Sequence, residues 1–124
     1  MREELVFITC SYIFKFRGEL FKEVWLMAQL ESKFQSKLIK EIKEQLEGSI
    51  VVKLDANYIQ GIPDLAIFYK DKWATLECKR SKTAKHRPNQ KYYVEKMNNM
   101  SFSRTIYPEN KEEVLNELYR TFES

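Results

Sequence analysis

Apolar and polar positions along the chain follow a pattern that predicts alternating helices and strands. In residues 27–47, apolar side chains recur at i, i+4 spacing opposite a face rich in lysine and glutamate, which predicts an amphipathic helix ending near Gly48. Its apolar positions are Leu30, Phe34, Leu38, Ile39, Ile42 and Leu46. A second amphipathic helix is predicted over 109–122, with Val114, Leu115, Leu118, Tyr119 and Phe122 on its apolar face.

Four short segments rich in β-branched and aromatic residues predict strands, at 49–55, 63–69, 72–79 and 102–107. We expect a tight turn near Asp71 and Lys72 to join the second strand to the third. After a basic loop, Pro88 suits the first turn of a further helix that extends to about Met100. The order after residue 27 is therefore α-β-β-β-α-β-α. This order predicts an α/β domain in which helices cover both sides of a small mixed sheet.

Composition narrows the class of protein. A chain of 124 residues with 44% hydrophobic content fits one domain with its own core. Two cysteines, Cys10 and Cys78, and one histidine argue against a disulfide scaffold, a thiolate-rich zinc site and a multi-histidine metal site. The apolar run at 5–16 is interrupted by polar residues and is too short to cross a bilayer, and no signal-peptide start precedes it. We therefore expect a cytoplasmic protein with no membrane partner.

Residues 1–26 fit this scheme poorly, because Met27 already begins a complete domain at 27–124. The tripeptide Lys22-Glu23-Val24 can be encoded by a bacterial ribosome-binding sequence, placed a short distance before the codon for Met27. Translation starting at Met27 would make residues 1–26 an upstream extension of the reading frame. The alternative is a genuine N-terminal helix or strand that packs on the domain. The intact mass of the natural protein distinguishes the two, since a species beginning at Met1 contradicts the internal start.

Charge is concentrated in one window of the chain. The formal net charge is only +3, but residues 70–91 contain eight lysines and arginines against two acids. Such a window is typical of a surface that binds a polyanion, and phosphate contacts of this kind position a nucleic acid without reading its bases. The alternative is a flexible, solvated loop. The predicted DNA contacts are Arg80, Lys82, Lys85, Arg87, Lys91 and Tyr93.

Aromatic residues and the single histidine near this window have less specific roles. Tyr58, Tyr92 and Tyr93 could stack on exposed bases, although core packing is the commoner role of tyrosines at such positions. We expect His86 to be a loop residue that touches phosphate or solvent.

The predicted hairpin brings three chemically active side chains together. On an extended strand Glu77 and Lys79 point to one face and Cys78 to the other, where it suits a small core residue. If Asp71 and Lys72 form a two-residue turn, Asp64 lies opposite Lys79 and Ala66 lies opposite Glu77. Directly opposed residues share a face, so Asp64, Glu77 and Lys79 converge. A register change of one residue would separate them.

Two carboxylates with a backbone carbonyl, that of Cys78, suit a hard divalent cation such as Mg²⁺ or Mn²⁺. Such an ion can polarise a phosphodiester and lower the pKa of a bound water, and Lys79 is placed to orient that water or to neutralise the transition state. The alternative is a structural ion pair between Glu77 and Lys79. We expect that pair to be unfavourable, because same-face neighbours on one strand pair poorly.

Two further residues can reach this face from the helices. Glu31 lies at the border of the buried stripe of the first helix and can extend over the sheet, although most glutamates on amphipathic helices are solvated. Gln90 and Tyr93 lie three apart on one helix face and could hold a water, a phosphate or Lys79. The alternative for Gln90 is a capping or surface role.

At these residues the chain resembles the PD-(D/E)XK nuclease superfamily, and it is most similar to the small virus-type replication-repair nucleases and to phage Holliday-junction-resolvase-like endonucleases. The matching segments are ESKFQ at 31–35, QGIPDL at 60–65, LECK at 76–79, PNQKYY at 88–93 and IYPEN at 106–110. They occur in the family's order over nearly all of 27–124, whereas 1–26 has no counterpart. The resemblance implies a restriction-endonuclease-like αβββαβ core.

The resemblance also implies Mg²⁺-dependent hydrolysis of DNA, with no organic cofactor, in phage replication, recombination or repair inside a bacterial host. Asp64 and Glu77 are then metal ligands, Lys79 the catalytic lysine, Glu31 the acid of the first helix and Gln90 the accessory residue of the second. Relatives often act as homodimers on branched DNA. Two alternatives stay open: an inactive DNA-binding module of the same fold, and a phage interaction protein with incidental motifs.

Overall fold

The computed structural model describes the backbone of residues 11–124 and the side chains of residues 19–124. Its elements follow the predicted order after residue 27. They are α1 (Ser11–Gln45), β1 (Ile50–Lys53), β2 (Leu65–Tyr69), β3 (Lys72–Cys78), α2 (Gln90–Met100), β4 (Phe102–Ile106), a 3₁₀ turn (Pro108–Asn110) and α3 (Lys111–Glu123). The α/β class is therefore confirmed. Within the described residues, no helix has both the length and the apolar content that a membrane span requires.

The four strands form one mixed sheet in the order β1-β2-β3-β4. The first three strands are antiparallel neighbours, and β4 runs parallel to β3. A parallel neighbour needs a crossover connection, and α2 supplies it. The prediction of a small mixed sheet is confirmed.

The apolar core lies on one face of this sheet, under α1 and α3. Leu38, Ile42 and Leu46 of α1 are fully or almost fully buried there, as predicted. Cys78 faces the same core and is inaccessible to solvent, which confirms its prediction as a small core residue. The sheet and α3 add Leu65, Ile67, Ala74, Leu76, Phe102, Ile106, Val114, Leu115, Leu118 and Phe122.

The opposite face of the sheet is covered by α2. There Thr75 donates a hydrogen bond to Ser103 Oγ at 2.7 Å and contacts Met97 Sδ of α2 at 3.6 Å. Helices therefore cover both faces, as the order of elements predicted. The core and the chemically active side chains of β3 end up on opposite sides of the same strand.

The first helix is longer than predicted, and its N-terminal part extends beyond the core. Every side chain from residue 19 to residue 30 is exposed, and Leu30 itself is 52% exposed, so its prediction as a core position is wrong. The stripe loses contact with the core because the sheet does not extend along the whole helix. Val24 in this part of the helix still lines a groove with Arg80 and Arg87. Residues 1–10 lie outside the described residues. The start at Met27 stays a prediction.

The remaining predicted boundaries agree with the structure to within two residues. Helix α2 begins at Gln90 and not at Pro88, because Asn89 has a left-handed conformation (φ 68°) that no helix continues. The last helix is preceded by a 3₁₀ turn, in which Asn110 Oδ1 accepts a hydrogen bond from Tyr107 N at 2.8 Å.

The turn of the β2–β3 hairpin lies one residue earlier than predicted. Tyr69 pairs with Lys72, so the turn residues are Lys70 and Asp71, and Lys70 has a left-handed φ of 57°. Ala66 therefore lies opposite Thr75 and not Glu77, and the same register continued places Asp64 opposite Glu77 and not Lys79. The register differs by two positions. Because that number is even, every side chain keeps its predicted face.

Candidate active site

Strand β3 and the residue after it place an acid and an amine on the face opposite the core. Glu77 is 1% exposed and Lys79 is 4% exposed. Lys79 Nζ lies 3.3 Å from Glu77 Oε2, so the two form a buried ion pair. The prediction that same-face neighbours would pair poorly is wrong, because a third side chain holds both groups.

That third side chain is Gln90, the first residue of α2, which is 4% exposed. Its Nε2 donates to Glu77 Oε2 at 2.5 Å, and its Oε1 accepts from Lys79 Nζ at 2.6 Å. The same Oε1 accepts from the backbone N–H of Arg87 at 2.6 Å. Of the roles predicted for Gln90, holding Lys79 is therefore confirmed. In a site of low dielectric constant, such a closed network restricts all three side chains.

Asp64 reaches the same place from the loop that enters β2. Its Oδ2 accepts a hydrogen bond from the backbone N–H of Cys78 at 2.8 Å. Because Cys78 is the residue between Glu77 and Lys79, this bond fixes the Asp64 carboxylate beside both of them. Burial raises the pKa of Asp64, whereas the Cys78 N–H, then Lys79 and Arg87, act in the opposite direction. The structure thus brings together the three residues that the sequence pattern singled out.

The surroundings of Glu77 disfavour its ionised form. Burial raises its pKa to about 7, the neighbouring Asp64 and Glu31 add to the rise, and Lys79 opposes it. Its second oxygen, Oε1, is buried and has no hydrogen-bond partner in the structure. A buried, ionised oxygen without a partner is unfavourable, and a cation bound next to it would compensate its charge.

Glu31 approaches the cluster from α1. It is partly buried, and burial is the main reason that its pKa is raised. Lys79, Asp64, Arg87 and Arg80 are all close enough to alter that pKa further. The predicted border position of Glu31 is therefore confirmed, and it is a third carboxylate facing the ion pair.

The donor atoms of this cluster fit a hard divalent cation. Among the described residues, no group of three or more His, Cys, Asp or Glu side chains has the arrangement of a complete metal site. Mg²⁺, however, is usually held by one or two carboxylates, and waters or substrate phosphates supply its other ligands. Asp64 and Glu77 meet that requirement, and the free Glu77 Oε1 supports it. The Cys78 carbonyl stays a predicted ligand, and the Cys78 thiol points into the core.

Positive charge borders the open side of this cluster. Met27, Glu31 and Gln35 of α1 and Arg80 and Arg87 of the basic loop line one groove. Arg80 is half-buried. The other predicted DNA-contacting cations, Lys82, Lys85, Arg87 and Lys91, are exposed. Two cations of the basic loop, Arg80 and Arg87, therefore lie near the carboxylates, and most of the loop's other cations are accessible from solvent.

His86 and Tyr92 line a groove with Lys85, Arg87 and Lys91 of the basic loop. Tyr93 is half-buried and packs edge-on against the exposed Tyr92, with ring centroids 5.1 Å apart. Tyr58 is 85% exposed, so core packing does not explain it. His86 is half-buried, and its pKa is lowered by burial and by the nearby Lys79 and Lys91. Stacking of these tyrosines on bases stays a prediction.

Sequence reasoning missed two polar residues beside the cluster. Thr75 and Ser103 are buried and hydrogen-bonded to each other beneath α2. The alternation of side chains along β3 places Thr75 on the same face as Glu77, so the sequence pattern could have predicted its position beside the cluster. Ser103 gave no comparable signal, because its position depends on the parallel register of β4.

No protein-family model matches the chain, and no curated protein or solved structure is significantly similar to it. The geometry of the site and the order of its motifs are therefore the observations that bear on function.

Proposed function

We propose that the protein is a divalent-metal-dependent DNA endonuclease of the PD-(D/E)XK type, built on a restriction-endonuclease-like core. One observation carries the proposal. The buried Glu77 carboxylate has an oxygen with no partner, and it lies beside Asp64 and in an ion pair with Lys79. The order α-β-β-β-α-β of the elements supports it, because this order and the motif Pro63-Asp64…Glu77-Cys78-Lys79 are those of the superfamily that the sequence resembles.

In this proposal Asp64 and Glu77 hold Mg²⁺ or Mn²⁺, and Glu31 and the Cys78 carbonyl add ligands directly or through water. When bound, the ion polarises the phosphodiester and lowers the pKa of the attacking water. The protein's own groups do the positioning. Gln90 keeps the Lys79 ammonium beside the carboxylates, where it donates to the attacking water or neutralises charge developing on the phosphate. Exclusion of water from these groups strengthens that electrostatic stabilisation.

The substrate proposed is DNA, held by its backbone. Arg80 and Arg87 lie within electrostatic reach of Glu31, and Arg87 also of Asp64, so both can neutralise phosphates at the site. Lys82, Lys85, Lys91 and Tyr93 are further proposed contacts along the same loop and the start of α2, and the three lysines are exposed. Phosphate contacts fix the position of the duplex without reading its sequence. Branched DNA, action as a homodimer and a role in phage replication, recombination or repair are proposed from the resemblance alone.

A second candidate is an inactive DNA-binding module. The observation that favours it is the closed Glu77–Lys79–Gln90 network, since a satisfied buried ion pair can be purely structural. This candidate retains the basic loop but gives no reason for the unpartnered Glu77 Oε1 or for the neighbouring Asp64.

A cleavage assay separates the two candidates. Supercoiled plasmid and synthetic branched DNA are incubated with the protein in Mg²⁺, Mn²⁺ or EDTA, and Asp64→Ala and Lys79→Ala are compared with the wild type. We expect metal-dependent cutting that each substitution lowers about 100-fold or more, because loss of one preorganised electrostatic group commonly costs that much. Asp71→Ala and Lys70→Ala remove the same chemical groups from the exposed hairpin turn and should cut normally.

Three results are informative. Cutting that needs the metal and is lost only in the two site variants supports the nuclease. Metal-independent binding of DNA without cutting supports the inactive module. If the protein neither binds nor cuts DNA, both candidates are contradicted.

A further inference from the structure

Gly61 lies in unusually close contact with the turn that precedes α2. It is buried and has a left-handed φ of 91°. A Cβ atom at this position would lie 2.6 Å from Asn89 Cβ, 2.7 Å from the Asn89 carbonyl carbon and 2.8 Å from the Pro88 oxygen. Real Cβ atoms do not approach other atoms so closely, so the loop and the turn can pack in this way only because residue 61 has no side chain.

This contact joins the two loops that carry the site. Asp64 follows Gly61 by three residues, and Gln90 directly follows Asn89. The turn at 87–90 is itself tightly wound, because Gln90 N donates to the Arg87 carbonyl at 3.2 Å while Arg87 N donates to Gln90 Oε1 at 2.6 Å. A shift of this turn therefore moves the Gln90 amide relative to Glu77 and Lys79.

We propose that Gly61 is a positioning residue: its contact with Pro88 and Asn89 fixes the distance between the Asp64 loop and Gln90, and so holds the Lys79 ammonium at Glu77. The importance of this contact for catalysis rests on the proposed nuclease function. The structural part of the proposal, that Gly61 sets the position of the Gln90 side chain, does not.

The chain offers a matched control for this proposal. Gly48, after α1, has nearly the same conformation (φ 89°), but a Cβ there would meet nothing within 4 Å. Gly48→Ala therefore introduces the backbone strain of a left-handed alanine alone. Gly61→Ala introduces the same strain and also displaces the turn at Pro88 and Asn89.

The first test does not depend on activity. In the NMR spectrum of the wild type, the Gln90 side-chain amide, assigned by its loss in Gln90→Ala, should be shifted downfield and slow to exchange, because it donates to a buried carboxylate. Gly61→Ala should return this signal to the range of solvated glutamines, and Gly48→Ala should leave it in place. A folded Gly61→Ala protein with an unchanged Gln90 signal overturns the proposal.

The second test measures cleavage. Gly61→Ala should lower kcat about 10- to 100-fold, with KM for DNA little changed, since small misplacements of catalytic groups have effects of this size. In the Gln90→Ala background, Gly61→Ala should have almost no further effect, because both changes disturb the same interaction. Additive losses overturn the proposal. Absence of cleavage by the wild type contradicts the proposed function, and the NMR test still decides the role of Gly61.

If Gly61→Ala does not fold, the same contact can be disturbed from its other side. Asn89→Val places a β-branched residue at φ 68°, which that residue type strongly disfavours. It should displace the same turn and move the Gln90 amide signal in the same direction. A folded Asn89→Val protein with a native Gln90 signal contradicts the proposal.

Discussion

The Glu77 side chain combines nearly complete burial with incomplete hydrogen bonding. Its Oε2 is bound by Lys79 and Gln90, and its Oε1 has no partner. The ionised form is therefore disfavoured in the folded protein, and its pKa rises from the ordinary 4.5 to about 7. A carboxyl group with a raised folded-state pKa binds more protons in the native state than in the unfolded state at intermediate pH.

The first prediction concerns this pH range. In EDTA, the free energy of unfolding should fall as the pH rises from 4.5 to about 7, since the native state must release a proton that the unfolded state has already lost. The Glu77 contribution is about 3 kcal/mol at most, by the usual conversion of a pKa difference. Urea unfolding at several pH values measures it.

The control for this prediction is Glu77→Gln. Burial raises the pKa values of Asp64 and Glu31 and lowers that of His86, so the wild-type slope contains their contributions too. The free energy of unfolding of the wild type minus that of Glu77→Gln isolates the contribution of Glu77. This difference should decrease as the pH rises from 4.5 to about 7. Parallel stability curves for the two proteins would contradict the assignment.

The residues of the site were predictable from the sequence in their identity but not in their pairing. The period of two in a strand puts Glu77 and Lys79 on one face, and antiparallel pairing adds Asp64. The ion pair was considered but expected to be unfavourable, because the strand alone gives no third group to hold both side chains, and Gln90 supplies that group from the next helix. The contact of Gly61 with Asn89 was not predictable, because two loops distant in the sequence must meet to create it.

At the scale of elements, α1 changes its role along its length. Leu38 is fully buried, whereas Leu30, on the same amphipathic pattern, is 52% exposed. The periodicity of a helix predicts which side chains share a face, but not where the partner surface ends. This is why the sequence predicted the helix and overestimated its buried stripe.

The second prediction compares these two leucines. Leu38→Ala should lower the free energy of unfolding by about 2–5 kcal/mol, because it removes buried methyl groups and leaves a cavity. Leu30→Ala makes the same chemical change at an exposed position of the same helix and should alter it by about 0.5 kcal/mol or less. Chemical denaturation followed by circular dichroism measures both. Similar losses for the two variants would mean that Leu30 is covered in solution.

The hairpin shows a different limit of the sequence. The segment Tyr69-Lys70-Asp71-Lys72 contains no glycine or asparagine to mark the left-handed position, which Lys70 occupies. The turn could therefore be placed only to within one residue. The predicted faces survived because the register differs by an even number of positions.

At the scale of the whole domain, the residues of the apolar core and the residues of the acidic cluster lie on opposite faces of the sheet. The apolar core lies under α1 and α3, and the acidic cluster lies on the other face, beside α2. Substitutions in the cluster should therefore affect the proposed metal binding without opening the core. The α/β class and the order of elements could be predicted from periodicity. The placement of α2 over the cluster followed from the parallel pairing of β4, which periodicity does not specify.

The third prediction is that a divalent cation stabilises the folded protein. A ligand that binds only the native state adds about 2.7 kcal/mol at a hundred times its Kd. We expect Mg²⁺ or Mn²⁺ to raise the Tm of the wild type and of Asp71→Asn, and to leave that of Asp64→Asn unchanged. Thermal unfolding with and without EDTA measures this. An equal rise in both variants would place the cation elsewhere on the protein.

The position of Cys78 has a consequence for labelling studies. Its thiol is inaccessible to solvent on the core side of β3, and burial raises its pKa, so the reactive thiolate is suppressed in the native protein. Alkylating or disulfide-forming reagents can reach this sulfur only when α1 separates from the sheet. In a Cys10→Ser background, the rate at which Cys78 is alkylated therefore reports how often the core opens. This measurement needs no attached dye and no change to the acidic face.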